Sequence, residues 1–273
     1  MTVTEQIAFL RQYTGAVRCP EDFLEKWQSA LELAGPVCTV RTENLGNPMG
    51  IYETLTLPVE GRMRTARCIH PADGKQHPLV LLYHDLNRGA RGWHHMTRYL
   101  AFGCGVIAPE AEPFRGSWTD GEADLKTRIL DALLLGKGAL DRPWVDRTQV
   151  TAFGEGFGGG LALAAAALLP EVGRVAALNP MPAELNDRNG PGRAEVDLVN
   201  FAPLIRGQVL MGTCLLDDYA PPKAQAAIYN ALSCEKFWRI YPKYGHERVN
   251  AFENDLVCFL GKGLHGLCGK ENA

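Results

Sequence analysis

Serine is scarce in this 273-residue sequence, where it occurs only at Ser29, Ser117 and Ser233. Long hydrophobic runs are missing as well: the longest, from Leu161 to Leu169, is far shorter than the roughly 20 residues that span a bilayer. The N-terminal residues lack the basic-then-apolar order of a secretion signal. We therefore expect no membrane association and a cytoplasmic location.

The sequence also lacks a basic block and closely spaced cysteine pairs. Lysines and arginines are interspersed with acids, and the formal net charge is -3, which disfavours nucleic acid as a partner. The eight cysteines include no CxxC pair, so we expect free thiols rather than a zinc site or a disulfide framework. His94-His95 has no third ligand at metal spacing. We expect neither a metal nor a cofactor.

The distribution of apolar residues predicts one α/β domain over residues 1–273. Residues 1–35 form an N-terminal helical segment, with helices over 5–13 and 20–33, and residues 37–70 alternate apolar and polar as half-buried antiparallel strands do. Short, fully apolar runs then alternate with helical stretches, which is typical of a mostly parallel, doubly wound sheet. The predicted strands are 79–83, 106–108, 150–153, 175–178, 209–215 and 237–241, and the predicted helices are 93–102, 122–140, 157–168, 222–232 and 249–260. Residues 181–203, rich in Pro, Asn and Gly, are expected to form a short cap over the site.

A glycine-rich turn joins a predicted strand to an alanine-rich helix at Gly154-Glu155-Gly156-Phe157-Gly158. This arrangement is typical of the nucleophile elbow G-x-S-x-G, in which a sharp turn presents a serine above the sheet. Here Gly156 takes the position of that serine: it accepts the strained backbone but has no oxygen. Two alternatives remain open. Gly154-x-Gly156-x-x-Gly159 matches a dinucleotide-binding fingerprint, although no acid ends the next strand, and the turn could serve packing alone.

Two later segments favour the hydrolase interpretation. Asp217-Asp218 follows one buried strand directly, and Tyr244-Gly245-His246 follows the next. Nucleophile, acid and histidine occur in this chain order in α/β-hydrolases, and positions 156, 217 and 246 reproduce it. Asp217 could instead cap a turn, with Asp218 as the substitute acid, and His246 could be a surface histidine.

At this point a family resemblance becomes specific. The segments "GGGLALAAAAL", "NFAPLIRGQVL", "LLDDYAPP", "YPKYGHE", "PEDFLEKWQSAL", "YHDLN" and "FRG" resemble the acetyl xylan esterase and cephalosporin C deacetylase family of carbohydrate acetyl esterases, over nearly the whole chain. The resemblance implies an α/β-hydrolase fold, a small-molecule ester or acetylated sugar as ligand, and, by family habit, a homo-oligomer. It also implies that Asp217 orients His246, that His246 is the general base, and that the backbone N–H groups of Leu86 and Phe157 stabilise the oxyanion.

The departures from the family pattern matter as much. The family has serine at position 156, glutamine at 157, and a His-Gly-Tyr loop that reads His84-Asp85-Leu86 here. Asp85 is expected near the oxyanion position, where a carboxylate opposes ester hydrolysis unless it points away. Arg115 could contact a substrate carboxylate or hold its loop.

Three functions remain: an inactivated or strongly impaired esterase, a pseudoenzyme that binds an acylated sugar, and hydrolysis by a water that His246 activates or by Ser117.

Overall fold

A computed structural model describes residues 2–32, 36–59, 62–86, 92–110, 122–185 and 193–267 of the protein. Their helices are α1 Val3–Leu10, α2 Phe23–Leu31, α3 Trp93–Thr97, α4 Glu122–Ala139, α5 Phe157–Leu168, α6 Leu198–Phe201, α7 Pro222–Ala231 and α8 Asn250–Lys262. The strands are β1 Cys38–Glu43, β2 Gly50–Val59, β3 Arg62–Pro71, β4 His77–Tyr83, β5 Gly105–Pro109, β6 Val145–Glu155, β7 Val172–Leu178, β8 Gln208–Cys214 and β9 Lys236–Tyr241. Short 3₁₀ segments occupy Arg98–Phe102, Arg193–Val196, Ala202–Leu204 and Gly263–Gly266.

The nine strands form one sheet in the order β1-β2-β3-β5-β4-β6-β7-β8-β9. The pairs from β1 to β3 and the β3–β5 pair are antiparallel, and every pair from β5 to β9 is parallel. The predicted fold class, a mostly parallel α/β sheet with N-terminal antiparallel strands, is therefore confirmed. In the part of the chain given above, no helix combines the length and apolar character needed to cross a membrane.

Helices cover both faces of the parallel strands, and the side chains of β4 show why. Leu79, Leu81 and Tyr83 belong to the core on one face, whereas Val80 and Leu82 belong to the core on the other. All five are at most 2% exposed. A strand with two covered faces is apolar at every position, which explains the continuous apolar runs in the sequence. It also leaves the loops at the strand ends as the place for polar chemistry.

The predicted helices over 5–13 and 20–33 are shorter in the structure, as α1 and α2, and a third differs in type. We expected a single helix over 93–102, but α3 ends at Thr97 and continues as a 3₁₀ segment. The Thr97 hydroxyl donates a hydrogen bond of 2.8 Å to the carbonyl oxygen of Trp93. Such a side-chain bond competes with the backbone ladder of the helix. The sequence pattern indicated the position of this segment but not its tightening.

The predicted cap, residues 181–203, lies partly outside the described residues, since 186–192 are not among them. The described part packs into the core: Phe201 is fully buried, and its ring meets that of Phe23 edge-on at 4.8 Å. The Trp27 indole N–H donates to the carbonyl oxygen of Glu195 at 3.0 Å. The N-terminal helical segment is thus fastened to this connection.

Asp197 anchors the same connection. Its Oδ2 accepts a hydrogen bond from the Leu185 N–H at 2.7 Å and its Oδ1 accepts one from the Val199 N–H at 2.9 Å. The residue is fully buried, and this burial, only partly offset by the N–H donors, raises the pKa of Asp197 to about 7. The carboxylate therefore ties two ends of the segment together at one point.

We expect Asp197→Ala to lower the free energy of unfolding by about 2 to 4 kcal/mol, because a buried N–H that loses its acceptor costs about 1 to 3 kcal/mol. Urea denaturation followed by circular dichroism measures the loss. Asp197→Asn keeps one acceptor oxygen and is the matched control, for which a smaller loss is expected. Equal stability of Asp197→Ala and the wild type would contradict the anchoring role.

Candidate active site

The candidate site lies at the carboxyl ends of β4, β6, β8 and β9. Gly156 follows β6 and is the N-cap of α5, with φ 58° and ψ -125°, a backbone conformation that residues other than glycine adopt only with strain. Its N–H donates to the Leu178 carbonyl oxygen at 2.8 Å. Close packing of the turn depends on Gly158, where a Cβ would lie 2.4 Å from the Tyr83 carbonyl oxygen. The backbone thus has the sharp strand-to-helix turn of a nucleophile elbow without the nucleophile.

Asp85, two residues after β4, fills the space in front of this turn. A Cβ built on Gly156 would lie 2.1 Å from Asp85 Oδ1 and 2.7 Å from Oδ2. Asp85 Oδ1 accepts hydrogen bonds from the Leu86 N–H at 2.8 Å and the Phe157 N–H at 2.9 Å. These are the two donors that the sequence resemblance associates with the oxyanion. The Asp85 carboxylate therefore points toward these two N–H groups, at the expected oxyanion position, rather than away from them.

The position of Asp85 is electrostatically favourable. Phe157 is the first residue of α5, and the N–H groups at a helix N-terminus attract negative charge. Asp85 is only 7% exposed, so these N–H bonds are made with little competition from water. The same carboxylate argues against a dinucleotide, because the pyrophosphate of such a ligand would have to approach these N–H groups beside a negative charge.

His246 lies between two carboxylates. Its Nδ1 is 2.8 Å from Asp217 Oδ2, and its Nε2 is 2.9 Å from Asp85 Oδ2. Burial lowers the pKa of His246, but the hydrogen bonds to Asp217 and Asp85, together with their charges, outweigh burial and raise the pKa to about 9. At neutral pH the imidazole is thus an imidazolium, with one N–H directed at each carboxylate.

Asp217, rather than Asp218, is the acid that contacts His246. The Asp217 side chain is fully buried, and its Oδ1 accepts hydrogen bonds from the Tyr219 N–H at 2.9 Å and the Ala220 N–H at 2.7 Å. Asp218 is exposed. The sequence left two alternatives for Asp217, capping a turn or orienting His246. Asp217 does both, because Oδ1 holds the turn and Oδ2 contacts the histidine.

Several contacts that the sequence did not predict hold the loops of Asp217 and His246 in place. Asn179, with φ 49°, follows β7; its Oδ1 accepts from the Cys214 N–H at 2.9 Å and its Nδ2 donates to the Gly245 carbonyl oxygen at 3.5 Å. The Tyr219 ring meets the His246 ring edge-on at 4.9 Å. An asparagine directly after a buried strand was the available signal, because asparagine tolerates positive φ.

The other predicted residues are less central. His84 and His95 line a small cavity beside Asp85, together with Glu155. Arg115 and Ser117 lie outside the described residues. Across the described ranges, no group of three His, Cys, Asp or Glu side chains is placed to hold a metal ion.

Comparison with known proteins identifies the family. A family model described as acetyl xylan esterase (AXE1) matches residues 2–129, 115–186 and 193–263. The crystal structure of acetyl xylan esterase 1 from Thermoanaerobacterium sp. JW/SL YS485 is 26% identical and superposes with a TM-score of 0.82 over 96% of this chain and 98% of that chain.

Two further structures share the fold. The acetyl xylan esterase from Paenibacillus sp. R4 is 20% identical, with a TM-score of 0.83 over 95% of this chain and 99% of that chain. A cold-adapted esterase from an Arctic intertidal metagenomic library is 16% identical, with a TM-score of 0.65 over 82% of this chain and 97% of that chain. Since the family model covers most of the sequence, this chain belongs to the acetyl xylan esterase family.

Proposed function

We propose that this chain is an acetyl xylan esterase-like protein in which ester hydrolysis by the serine route is lost or strongly impaired, and which binds an acetylated carbohydrate as a pseudoenzyme. One observation carries the first part: Asp85 Oδ1 occupies both N–H donors that an ester oxyanion would need. Family membership supports the second part, because acetylated carbohydrate is the ligand class that the family name implies.

Besides the missing hydroxyl at Gly156, two effects of the Asp85 carboxylate oppose ester hydrolysis. An ester carbonyl oxygen cannot reach the Leu86 and Phe157 N–H groups while a carboxylate oxygen is bound there. A developing oxyanion would also be repelled by that carboxylate, whereas a preorganised donor normally contributes about 3 to 4 kcal/mol to catalysis. Both effects act against the tetrahedral intermediate of acyl transfer.

Direct attack by water is disfavoured for a related reason. A histidine that activates water must be neutral, and the carboxylates of Asp85 and Asp217 keep His246 protonated, with a pKa of about 9. The water-activating function that the sequence left open is therefore weak near pH 7.

The test is to assay p-nitrophenyl acetate and acetylated xylo-oligosaccharide with the wild-type chain. We expect hydrolysis no more than about 10³- to 10⁴-fold above the reaction in water, the level that remains when a triad member is removed. Isothermal titration calorimetry should show that acetylated xylo-oligosaccharide binds more tightly than the same oligosaccharide without acetyl groups. Fast turnover that is lost in His246→Ala would overturn the impaired-esterase proposal, and equal affinity for both oligosaccharides would overturn the binding proposal.

A further inference from the structure

A cavity of about 160 Å³ lies near the amino ends of β4, β6 and β7, at the end of the sheet opposite the candidate active site. Thr151 of β6 lines this cavity. It precedes Gly156 by roughly 16 Å of extended strand, at about 3.3 Å per residue. Leu260, near the C-terminal end of α8, lines the cavity from the helix side. The cavity is therefore distinct from the site that contains Asp85 and His246.

Three residues of the cavity wall form one row across the sheet. Val80 of β4 pairs with Thr151 of β6, and Thr151 pairs with Arg174 of β7. Val80, Phe153 and Ala176 belong to the core on one face of the sheet, and strand alternation places Thr151 and Arg174 on the same face. Neighbouring strands lie about 4.8 Å apart. The row thus leads over about 10 Å from an apolar side chain, past a hydroxyl, to a cation.

Arg174 brings a positive charge to this cavity. Its Nη1 donates to the Leu260 carbonyl oxygen at 2.9 Å, and a guanidinium has further N–H groups to donate. In the described part of the chain, no carboxylate forms an ion pair with Arg174. Burial raises the pKa of the Cys104 thiol, which also lines the cavity, and the charge of Arg174 opposes that rise. The charge therefore acts on the cavity wall and is available to an anion.

The Thr151 hydroxyl is the second polar group of the row. Thr151 is only 5% exposed, and its hydroxyl makes no hydrogen bond to another described protein group. It can therefore donate to an oxygen of a ligand. Two polar side chains at the rim are already engaged, since the Thr148 hydroxyl and the Gln149 amide both donate to Asp146, at 2.6 Å and 2.7 Å. Thr151 and Arg174 are thus the groups left to recognise a ligand.

The rest of the wall is largely apolar. Leu79, Val80 and Val150 line it and are at most 2% exposed, and Leu260 faces them from α8. An apolar cavity of about 150 Å³ is large enough to bind benzene. A ligand with an apolar part would remove apolar surface from water here, which a small inorganic anion would not.

From this pairing of one cation with an apolar wall we propose that the cavity binds a small monocarboxylate with a compact apolar body, of about the size of benzoate. The carboxylate accepts hydrogen bonds from Arg174, whose planar guanidinium matches its geometry, and from Thr151. The apolar body packs against Val80 and Leu260. Phosphate would meet the same cation but leave the apolar wall without a partner, and a neutral ring would leave the guanidinium without one.

Isothermal titration calorimetry of the wild-type chain with benzoate tests the proposal. We expect one saturable site with a Kd of about 0.1 to 1 mM. Benzyl alcohol and inorganic phosphate should each bind at least about 10-fold more weakly, because each lacks one half of the recognition. Proton NMR should show contacts between the benzoate ring and the methyl groups of Val80 and Leu260, which places the ligand in this cavity.

The variants separate the charge from the hydroxyl. Arg174→Gln should weaken benzoate binding at least about 10-fold, because it removes the charge-assisted hydrogen bonds, whereas Arg174→Lys should retain more of the affinity. Thr151→Val keeps the side-chain shape and should weaken binding about 3-fold. Arg18→Gln, at an exposed arginine of the N-terminal segment, makes the same change of charge elsewhere and should leave the affinity unchanged.

Thermal unfolding shows that each variant is folded and gives a second readout, because benzoate should raise the midpoint of the wild type more than that of Arg174→Gln. A wild-type chain without saturable benzoate binding would overturn the proposal. So would unchanged affinity in folded Arg174→Gln, NMR contacts that place benzoate elsewhere, or phosphate binding tighter than benzoate binding. These measurements use neither an acetyl ester nor a carbohydrate, so their failure would leave the esterase-like proposal standing.

Discussion

The double variant Asp85→Gly with Gly156→Ser should hydrolyse p-nitrophenyl acetate at least about 10³-fold faster than either single variant. The estimate is a fraction of the roughly millionfold that a triad nucleophile contributes. Asp85→Gly restores the glycine of the family's loop and frees the Leu86 and Phe157 N–H groups. Gly156→Ser then supplies the hydroxyl that His246 can deprotonate. Initial rates with p-nitrophenyl acetate and acetylated xylo-oligosaccharide give the comparison.

Each single variant should fail for its own reason. In Gly156→Ser the new Cβ would lie 2.1 Å from Asp85 Oδ1, so the carboxylate must move. Even after it moves, the Asp85 carboxylate still competes with the ester oxygen for the Leu86 and Phe157 N–H groups. Asp85→Gly alone frees the Leu86 and Phe157 N–H groups but supplies no nucleophile. The matched control is Asp85→Gly with Gly156→Ala, which has the same backbone and Cβ but no hydroxyl. High activity of Gly156→Ser alone would show that Asp85 does not block the site.

This expectation differs from what the sequence alone would suggest. A glycine in the serine position invites the single reversion Gly156→Ser, and a negative result would then be taken as proof of a binding protein. The contacts of Asp85 with Leu86 and Phe157 show that this inference is unsafe. The departures at positions 85 and 156 share one volume, so these two must be reversed together.

The sequence predicted the sheet well because burial on both faces makes parts of the strands, such as residues 79–83 of β4 and 175–178 of β7, continuously apolar. It also predicted the order of positions 156, 217 and 246, since each follows its own strand. The direction of the Asp85 side chain was not predictable. That direction depends on N–H groups of residues 86 and 157 and on an imidazole at 246, and no local pattern near residue 85 encodes them.

The structural role of Asn179 was hidden for a similar reason. Its contacts join β8 to the loop of His246, although its sequence position suggests only the end of β7.

The role of Arg115 in contacting a substrate carboxylate or holding its loop remains a prediction from the sequence, as does the division of the chain into a single domain with a cap.

The second large effect concerns the charge of His246. Its pKa is about 9 in the folded chain and about 6.5 in an unfolded one. A pKa that is raised on folding stabilises the protein fully below pH 6.5, and this contribution disappears as the pH rises through 9. At about 1.4 kcal/mol per pKa unit, wild-type unfolding free energy should fall by up to about 3 kcal/mol across that window.

Asp85→Asn isolates this effect because it removes one of the two charges that hold the proton on His246. Urea denaturation from pH 6 to pH 10 should show a smaller fall in the variant, and the difference between the two profiles cancels contributions from other titrating groups. Proton NMR of the His246 ring should show its pKa shifted toward the ordinary value. Parallel stability profiles would contradict the pairing of Asp85 with His246. The same loss of charge would make His246 a competent base in the double variant, so the two predictions test one electrostatic arrangement from opposite sides.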